Sequence, residues 1–141
     1  MVLLQAEEMS TGQSLGLNER SYNMIINSNK RILKITAKVS ENDLKLMEIY
    51  ILGAVHGFTA AAGSKSFKVR DLFGYENRDW NGTPIQEIYE FYLKSESHED
   101  AAEKAAQDVG KLLRKVLAED KYEYEEEFGS RECTYHRVYK V

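Results

Sequence analysis

SHEDAAEKAAQDVGKLLRKVLAEDKYEYEEEFGSRECTYHRVYKV, residues Ser97 to Val141, is the stretch that decides the predicted fold. Ser97 and Asp100 are suited to cap a helix, and apolar residues then recur at helical spacing. The apolar positions of this helix are Ala102, Ala105, Ala106, Val109, Leu112, Leu113, Val116 and Leu117. Alternating residues on both sides of Gly129-Ser130 predict two strands joined by a turn. The sequence therefore predicts a long helix followed by a β-ribbon at the C-terminal end.

A second helix is predicted from about Glu41, where Ser40 and Asp43 form a near capping box. Its apolar residues, which include Leu46 and Ile49, cover so much of its circumference that we expect a central helix with most of its surface covered. Gly53 and Gly57 share one side of it, where we expect another backbone to approach closely.

Shorter elements are predicted between these two helices. Ser66 to Val69 is a candidate strand, and Arg70 to Gly74 is a candidate single helical turn ended by glycine. Thr83 and Pro84 are typical of an N-cap and a first helical position, so a further helix is expected from there to about Ser95. Trp80, in the loop before it, is either an anchor for that loop or an exposed contact residue.

The N-terminal part is predicted to hold a flexible arm over residues 1–20 and an extra β-hairpin. Residues from Tyr22 to Val39 alternate between apolar and polar on both sides of Asn27-Ser28-Asn29, which favours a turn. We therefore expect an α+β fold in which residues 21–141 form a single domain, with a hairpin at each end.

The order of helix, short strand, helix, helix, strand, turn and strand over Ser40 to Val141 resembles the winged-helix superfamily. This resemblance implies a three-helix core followed by a wing, with the helix before the wing in the major groove of double-stranded DNA. It implies phosphate or base contacts by Lys104, Lys111, Lys115, Arg131 and Arg137. The chain also resembles the short reading frames of plasmids and phages.

Charge sets a limit on this expectation. The chain has a net charge of -4, and from Ser97 to Val141 eight Lys and Arg stand against eleven Asp and Glu, a net of -3. Nucleic-acid binding depends largely on cations, so any contact requires a local basic patch. The lysines of the last helix are either that patch or an ordinary helix surface paired with Asp108.

The most basic segment lies elsewhere, between Arg20 and Lys38, where five cations occur without an acidic residue. Lys34 and Lys38 share the solvent face of the predicted hairpin and are candidates for a polyanion contact. The alternative is that they only keep that strand from pairing with other chains.

A second functional hypothesis is a protein-interaction or self-associating module without nucleic-acid binding. Its contact surface would be the acidic, tyrosine-rich ribbon, whose aromatic rings suit either a core face or an interface. The candidate interface residues are Tyr122, Tyr124, Tyr135 and Tyr139.

The sequence contains no recognisable motif for catalysis or for binding a metal or a cofactor. Asn77 to Gly82 begins like a calcium loop, but Ile88 stands where the bidentate glutamate is required. Cys133 and His136 fall on opposite faces of a strand, which disfavours a thiol-imidazole pair. We expect neither an enzyme nor a cofactor. One cysteine, no long apolar run and no signal peptide predict a cytoplasmic protein without disulfides.

Overall fold

The computed structural model describes the backbone of residues 22–24, and residues 34–74, 79–129 and 132–138. The predicted arm over residues 1–20 and the residues Arg131 and Tyr139 lie outside these ranges. In chain order the elements are β1 (Tyr22–Met24), α1 (Glu41–Ala61), β2 (Ser66–Phe67), α2 (Val69–Phe73), α3 (Gln86–Leu93), α4 (His98–Glu119), β3 (Glu123–Phe128) and β4 (Cys133–Val138).

The strands form one antiparallel sheet in the order β1-β3-β4-β2. The C-terminal ribbon, β3 and β4, is confirmed, and its register runs from Glu123 opposite Val138 to Phe128 opposite Cys133. Tyr124, Tyr135 and Phe67 bring one face of this sheet into the core. The protein is therefore α+β, with helices followed by a C-terminal antiparallel hairpin.

The two predicted N-caps form as the sequence indicates. The Ser40 hydroxyl accepts a hydrogen bond from the Asp43 amide at 3.1 Å, and the Ser97 hydroxyl accepts one from the Asp100 amide at 3.1 Å. Each cap satisfies an amide that the helix itself cannot pair. α1 and α4 consequently start at Glu41 and His98, as expected from local sequence alone.

The central helix is α4 and not α1, which corrects the expectation for α1. α4 packs against α1, α2, α3 and β3, and it buries eight residues, among them Asp108. α1 lies on the outside of the molecule and buries only Met47, Ile51, Val55 and Thr59. Leu46 and Ile49 stay 56% and 65% exposed, because the sheet and the other helices already enclose α4.

The close approach expected at Gly53 and Gly57 does not occur within the described residues. A methyl group at either position would meet no described atom within 4 Å. Both glycines are exposed on the outer side of α1. They leave a shallow, open strip on the molecular surface.

The predicted N-terminal hairpin is wrong in its described second half. Residues 34–40 are extended but belong to no strand, and β1 pairs instead with Glu125 to Glu127 of β3. The alternation that suggested a strand is real, since Ala37 is buried between exposed Thr36 and Lys38. The amides of Thr36 and Ala37 bond to a carboxylate rather than to a neighbouring strand.

The helix predicted from Thr83 begins later, at Gln86. The Thr83 hydroxyl does not cap it but donates a hydrogen bond to the Trp80 carbonyl at 2.7 Å. Trp80 is buried and its indole N–H donates to the Phe73 carbonyl at 2.9 Å, so it anchors this loop to the end of α2.

The predicted short strand and helical turn before that loop both form, with shifted bounds: β2 covers only Ser66–Phe67, and α2 already begins at Val69 and ends at Phe73. Gly74 follows at the C-cap with a φ of 96°. None of the helices in the described ranges combines the length and the apolar composition that a membrane span needs.

Candidate functional surfaces

Asp108 is a buried carboxylate at the centre of the molecule, only 1% exposed. It accepts hydrogen bonds from the amides of Thr36 at 3.2 Å and Ala37 at 3.0 Å, and from the Tyr92 hydroxyl at 2.7 Å. Burial, followed by the hydrogen bond to Asp108, raises the pKa of Tyr92 to about 12. Asp108 thus holds the basic segment around Lys34 and Lys38 against α3 and α4.

The three lysines predicted as a cationic line on α4 each face a carboxylate. Lys104 Nζ lies 2.8 Å from Glu96, and Lys111 Nζ lies 3.6 Å from Asp108. Lys115 Nζ lies 3.0 Å from Glu48 and 3.2 Å from Glu119. Their positive charge is therefore largely balanced within the protein, which weakens the support for α4 as a nucleic-acid surface.

The remaining predicted cations lie in different places. Lys34 and Lys38 are exposed, and among the described residues they have no ion-pair partner. The Arg137 guanidinium lies 4.0 Å from the centre of the Tyr122 ring and donates to the Thr59 hydroxyl at 3.4 Å. The structure thus separates Arg137, which packs towards α1, from the lysines of the N-terminal segment.

Two of the four candidate interface tyrosines, Tyr124 and Tyr135, are core residues. Tyr124 and Tyr135 are 2% and 4% exposed, so a contact surface on the ribbon would have to use other side chains. Burial raises the pKa of both hydroxyls. Tyr122 is half-buried, with its ring edge-on to His56 at 5.8 Å between centres.

A second buried carboxylate group joins the ribbon to α1. The Tyr124 hydroxyl donates to Asp120 Oδ2 at 2.6 Å, and His56 Nε2 lies 2.8 Å from the same oxygen. Burial by itself would raise the pKa of Asp120, but the hydrogen bonds from Tyr124, His56 and the Lys121 amide together lower it. His56 is therefore a structural partner of Asp120 in this site.

Arg114 and Glu126 form a buried ion pair that the sequence analysis missed. Arg114 Nε donates to Glu126 Oε2 at 2.7 Å and Nη2 donates to Oε1 at 3.2 Å, with Glu126 only 1% exposed. The sequence could have indicated this pair. Glu126 lies two residues from Tyr124 and therefore points to the same face of the strand, which was expected to be apolar. In this pair Nη1 of Arg114 is buried without a partner among the described residues.

The opposite face of the sheet carries a chain of hydrogen bonds that crosses three strands. His136 Nδ1 lies 2.7 Å from the Ser66 hydroxyl, and His136 Nε2 lies 2.9 Å from Glu127 Oε1. The neighbouring Glu125 has a raised pKa because it is partly buried, an effect that His136 partly offsets. These groups join β2, β4 and β3 to one another through side chains.

The outer face of α1, defined here by Leu46, Ile49, Gly53 and Gly57, combines exposed bulky residues with open glycines. Positions three and four apart on a helix share one side, so these residues form a continuous strip. A groove of about 300 Å³, lined in part by Ile49, Leu52 and Val116, adjoins it. The sequence analysis identified all four residues of this face but placed them inside the molecule.

No family model matches the chain, and no curated protein or solved structure does so either. Within the described ranges no group of three or more His, Cys, Asp or Glu is placed to hold a metal ion. The class that the fold defines is thus an α+β domain with a C-terminal antiparallel hairpin.

Proposed function

We propose that this protein is a winged-helix-like interaction module that self-associates through the outer face of α1. The observation that carries the proposal is the exposure of Leu46 and Ile49 beside two glycines that nothing in the described chain approaches. Isolated exposed apolar residues are common on protein surfaces. A bulky pair one helical turn from a pair of glycines is a shape that another helix can fit.

The order of the strands supports the winged-helix-like scaffold. β2 lies between α1 and α2 in the chain and pairs with β4, the last strand. A long helix, α4, leads directly into the β3–β4 hairpin in the position of a wing. This arrangement agrees with the element order from which the resemblance was drawn. The strand β1 and the extra helix among α2, α3 and α4 are additions to the usual pattern.

A second copy of the chain is the partner that this face fits best, because the face is complementary to itself. We consider an antiparallel pair of α1 helices whose two-fold axis crosses the outer face at the level of residue 51. In this pair Ile49 of one copy lies opposite Gly53 of the other. Leu46 then lies nearly opposite Gly57. Each bulky side chain meets an open glycine, so the face is self-complementary, as an isologous contact requires.

The expected affinity is modest. Covering the exposed parts of two bulky apolar residues on each copy contributes about 1–2 kcal/mol per residue, at about 25 cal/mol per Å². Association costs at least about 4 kcal/mol in lost translational and rotational freedom. The balance leaves at most about 4 kcal/mol, so we expect a weak dimer with a dissociation constant on the order of 1 mM.

Sedimentation velocity at rising protein concentration tests this proposal. The wild-type protein is expected to shift from monomer to dimer, and Ile49→Asp is expected to remain monomeric because a charge would be buried against glycine. Ser95→Asp adds the same charge at an exposed position near the end of α3 and serves as the matched control. The proposal fails if Ile49→Asp and Ser95→Asp dimerise equally, or if the wild type stays monomeric at millimolar concentration.

A second candidate function, nucleic-acid binding, is favoured by Lys34 and Lys38 rather than by α4. Both lysines are exposed, and the segment between them is bound to Asp108 through the Thr36 and Ala37 amides, which supports a contact with phosphates. Duplex DNA binding at low salt is expected to weaken in the double variant Lys34→Ala/Lys38→Ala. Lys104→Ala/Lys115→Ala is the control, since those lysines already have carboxylate partners. Equal losses in both variants, or no binding by the wild type, would contradict this candidate.

A further inference from the structure

Ser66, on the edge strand β2, is exposed and hydrogen-bonded to a histidine. It lies directly opposite His136 in the register of β2 and β4, and the Arg137 amide bonds to the Lys65 carbonyl beside this pair. Hydrogen-bonded and non-hydrogen-bonded pairs alternate along an antiparallel ladder, so Ser66 and His136 form a non-hydrogen-bonded pair, whose side chains are closer. The Ser66 hydroxyl consequently lies 2.7 Å from His136 Nδ1.

The His136 ring is held from its other side by β3. Its Nε2 lies 2.9 Å from Glu127 Oε1, and the side chains of His136 and Glu127 are 27% and 35% exposed. A carboxylate only accepts hydrogen bonds, so it favours the tautomer with the proton on Nε2. Nδ1 then carries the lone pair, and the Ser66 hydroxyl is the donor in the bond that joins them. Glu125, opposite His136 on β3, brings a second carboxyl group to the ring.

A hydroxyl that donates to a histidine oriented by a carboxylate has the connectivity of an activated serine nucleophile. The roles of Nδ1 and Nε2 are exchanged relative to the usual arrangement, but one nitrogen still accepts the hydroxyl proton while the carboxylate orients the other. The Ser66 amide is engaged by the Ser64 hydroxyl at 3.2 Å, so it does not stabilise a developing oxyanion. The site therefore suits esters with a good leaving group rather than amides.

We infer that Ser66 is a nucleophile that accepts an acyl group from activated esters, with His136 as its general base and Glu127 as a positioning residue. Ser66 Oγ bonds to the carbonyl carbon while its proton passes to His136 Nδ1. The bond from that carbon to the leaving oxygen breaks, the leaving group departs with the electron pair, and His136 gives its proton to water. A water molecule then attacks the acyl carbon and passes a proton through Nδ1 to Ser66 Oγ, which releases the acid. This site does not depend on self-association.

A fluorophosphonate tests the nucleophile, because the serine oxygen displaces fluoride from phosphorus and leaves a stable adduct. Peptide mass mapping of the wild-type protein is expected to find the adduct at Ser66 about 10²-fold sooner than at Ser40, the lower end of what a general base contributes. Ser40 is the internal control, since it is also exposed and its hydroxyl accepts from the Asp43 amide.

Hydrolysis of p-nitrophenyl acetate tests the acyl transfer. The wild type is expected to release p-nitrophenolate in a burst and then more slowly, because the Ser66 alkoxide is a poorer leaving group than p-nitrophenolate. Ser66→Ala is expected to show no burst. Equal release by the wild type and Ser66→Ala would overturn the acyl transfer.

Three variants test the histidine and the carboxylate, with circular dichroism to check that each keeps the fold. His136→Ala is expected to slow fluorophosphonate labelling of Ser66 about 10²-fold, and added imidazole is expected to restore part of it, because imidazole can take the proton. Glu127→Gln is expected to slow it less. His98→Ala is the control, since His98 bonds to Tyr89 instead. The inference is overturned if Ser66 reacts no faster than Ser40, if folded His136→Ala reacts like the wild type, or if imidazole restores nothing.

Discussion

Asp108 shows how one residue determines the position of a distant segment. It lies on α4 at the same helical face as Ala105 and Leu112, so the helix would have presented a continuous apolar stripe without it. The buried carboxylate instead accepts hydrogen bonds from the backbone amides of residues 36 and 37 and from the hydroxyl of Tyr92. Buried carboxylates persist only where such donors compensate for lost hydration. Thr36 and Ala37 are positioned by this one side chain.

Replacing Asp108 with alanine is expected to lower the free energy of unfolding by about 2–4 kcal/mol, because the Ala37 amide and the Tyr92 hydroxyl lose their acceptor in a buried site. Glu103→Ala, an exposed change on the same helix, is expected to shift it by no more than about 0.5 kcal/mol. Guanidinium denaturation measures the free energy of unfolding of both variants. Equal stability of Asp108→Ala and Glu103→Ala would show that the buried carboxylate does not hold the segment.

The buried tyrosines predict a loss of stability at high pH. Burial and the hydrogen bond to Asp108 raise the pKa of Tyr92 from 10.0 to about 12 in the folded protein. Between these values the unfolded chain loses this proton first, so stability present below pH 10 falls as the pH rises towards about 12. Tyr124 and Tyr135 act in the same direction because burial raises their pKa as well.

Denaturation curves at several pH values above 9 check this, and Tyr92→Phe is expected to make the decline less steep. Tyr89→Phe is the control, since it leaves the hydrogen bonds of Asp108 in place. A decline of the same steepness in Tyr92→Phe and the wild type would rule out the assigned role of Tyr92.

At the scale of elements, the helices and strands whose ends are set by neighbouring side chains could be predicted from the sequence. Ser40 and Ser97 mark the starts of α1 and α4, and alternation around Gly129 marks the ribbon. The sequence did not predict which part of the chain packs against residues 34–39. Residues 34–39 have the alternation of a strand, yet the amides of Thr36 and Ala37 bond to Asp108, about 70 positions away. Period-2 patterning reports an extended chain with one covered side and says nothing of what covers it.

Alanine substitutions at Gly110, in a helix, and at Gly82, in a loop, are expected to change the free energy of unfolding in opposite directions. Gly110→Ala is expected to raise the free energy of unfolding by about 0.5–1 kcal/mol, because Gly110 is in the interior of α4 and the added methyl group has room. Gly82→Ala is expected to lower it by about 1 kcal/mol, because Gly82 has a φ of 83°. Thermal unfolding distinguishes the two, and a destabilised Gly110→Ala would mean that α4 is more crowded there than described.

At the scale of the whole molecule, the arrangement of helices decides which surfaces are available. The apolar pattern of α1 resembles that of a covered helix, but only its inner side is buried once α4 occupies the centre. The lysines of α4 were correctly placed on one helix, and the pairing of Lys111 with Asp108 on the same helix was one of the two interpretations of the sequence. Of the other partners, Glu119 also lies on α4, whereas Glu48 lies on α1 and Glu96 precedes α4. The contacts of Lys104 with Glu96 and of Lys115 with Glu48 join α4 to other parts of the chain, so the sequence alone did not predict them. The candidate α1 face became visible only with the packing.

Disulfide crosslinking between two cysteine variants tests the antiparallel α1 pair most directly. Cys133→Ser provides a background without native cysteine, into which Ile49→Cys and Gly53→Cys are introduced separately. An antiparallel pair with its axis near Ile51 brings positions 49 and 53 of different copies within disulfide distance. The expected result is that an oxidised mixture yields mainly the mixed Ile49→Cys/Gly53→Cys dimer, beyond the yield of either variant alone. A mixture that stays monomeric, or that forms only like-with-like dimers, would contradict the proposed self-association.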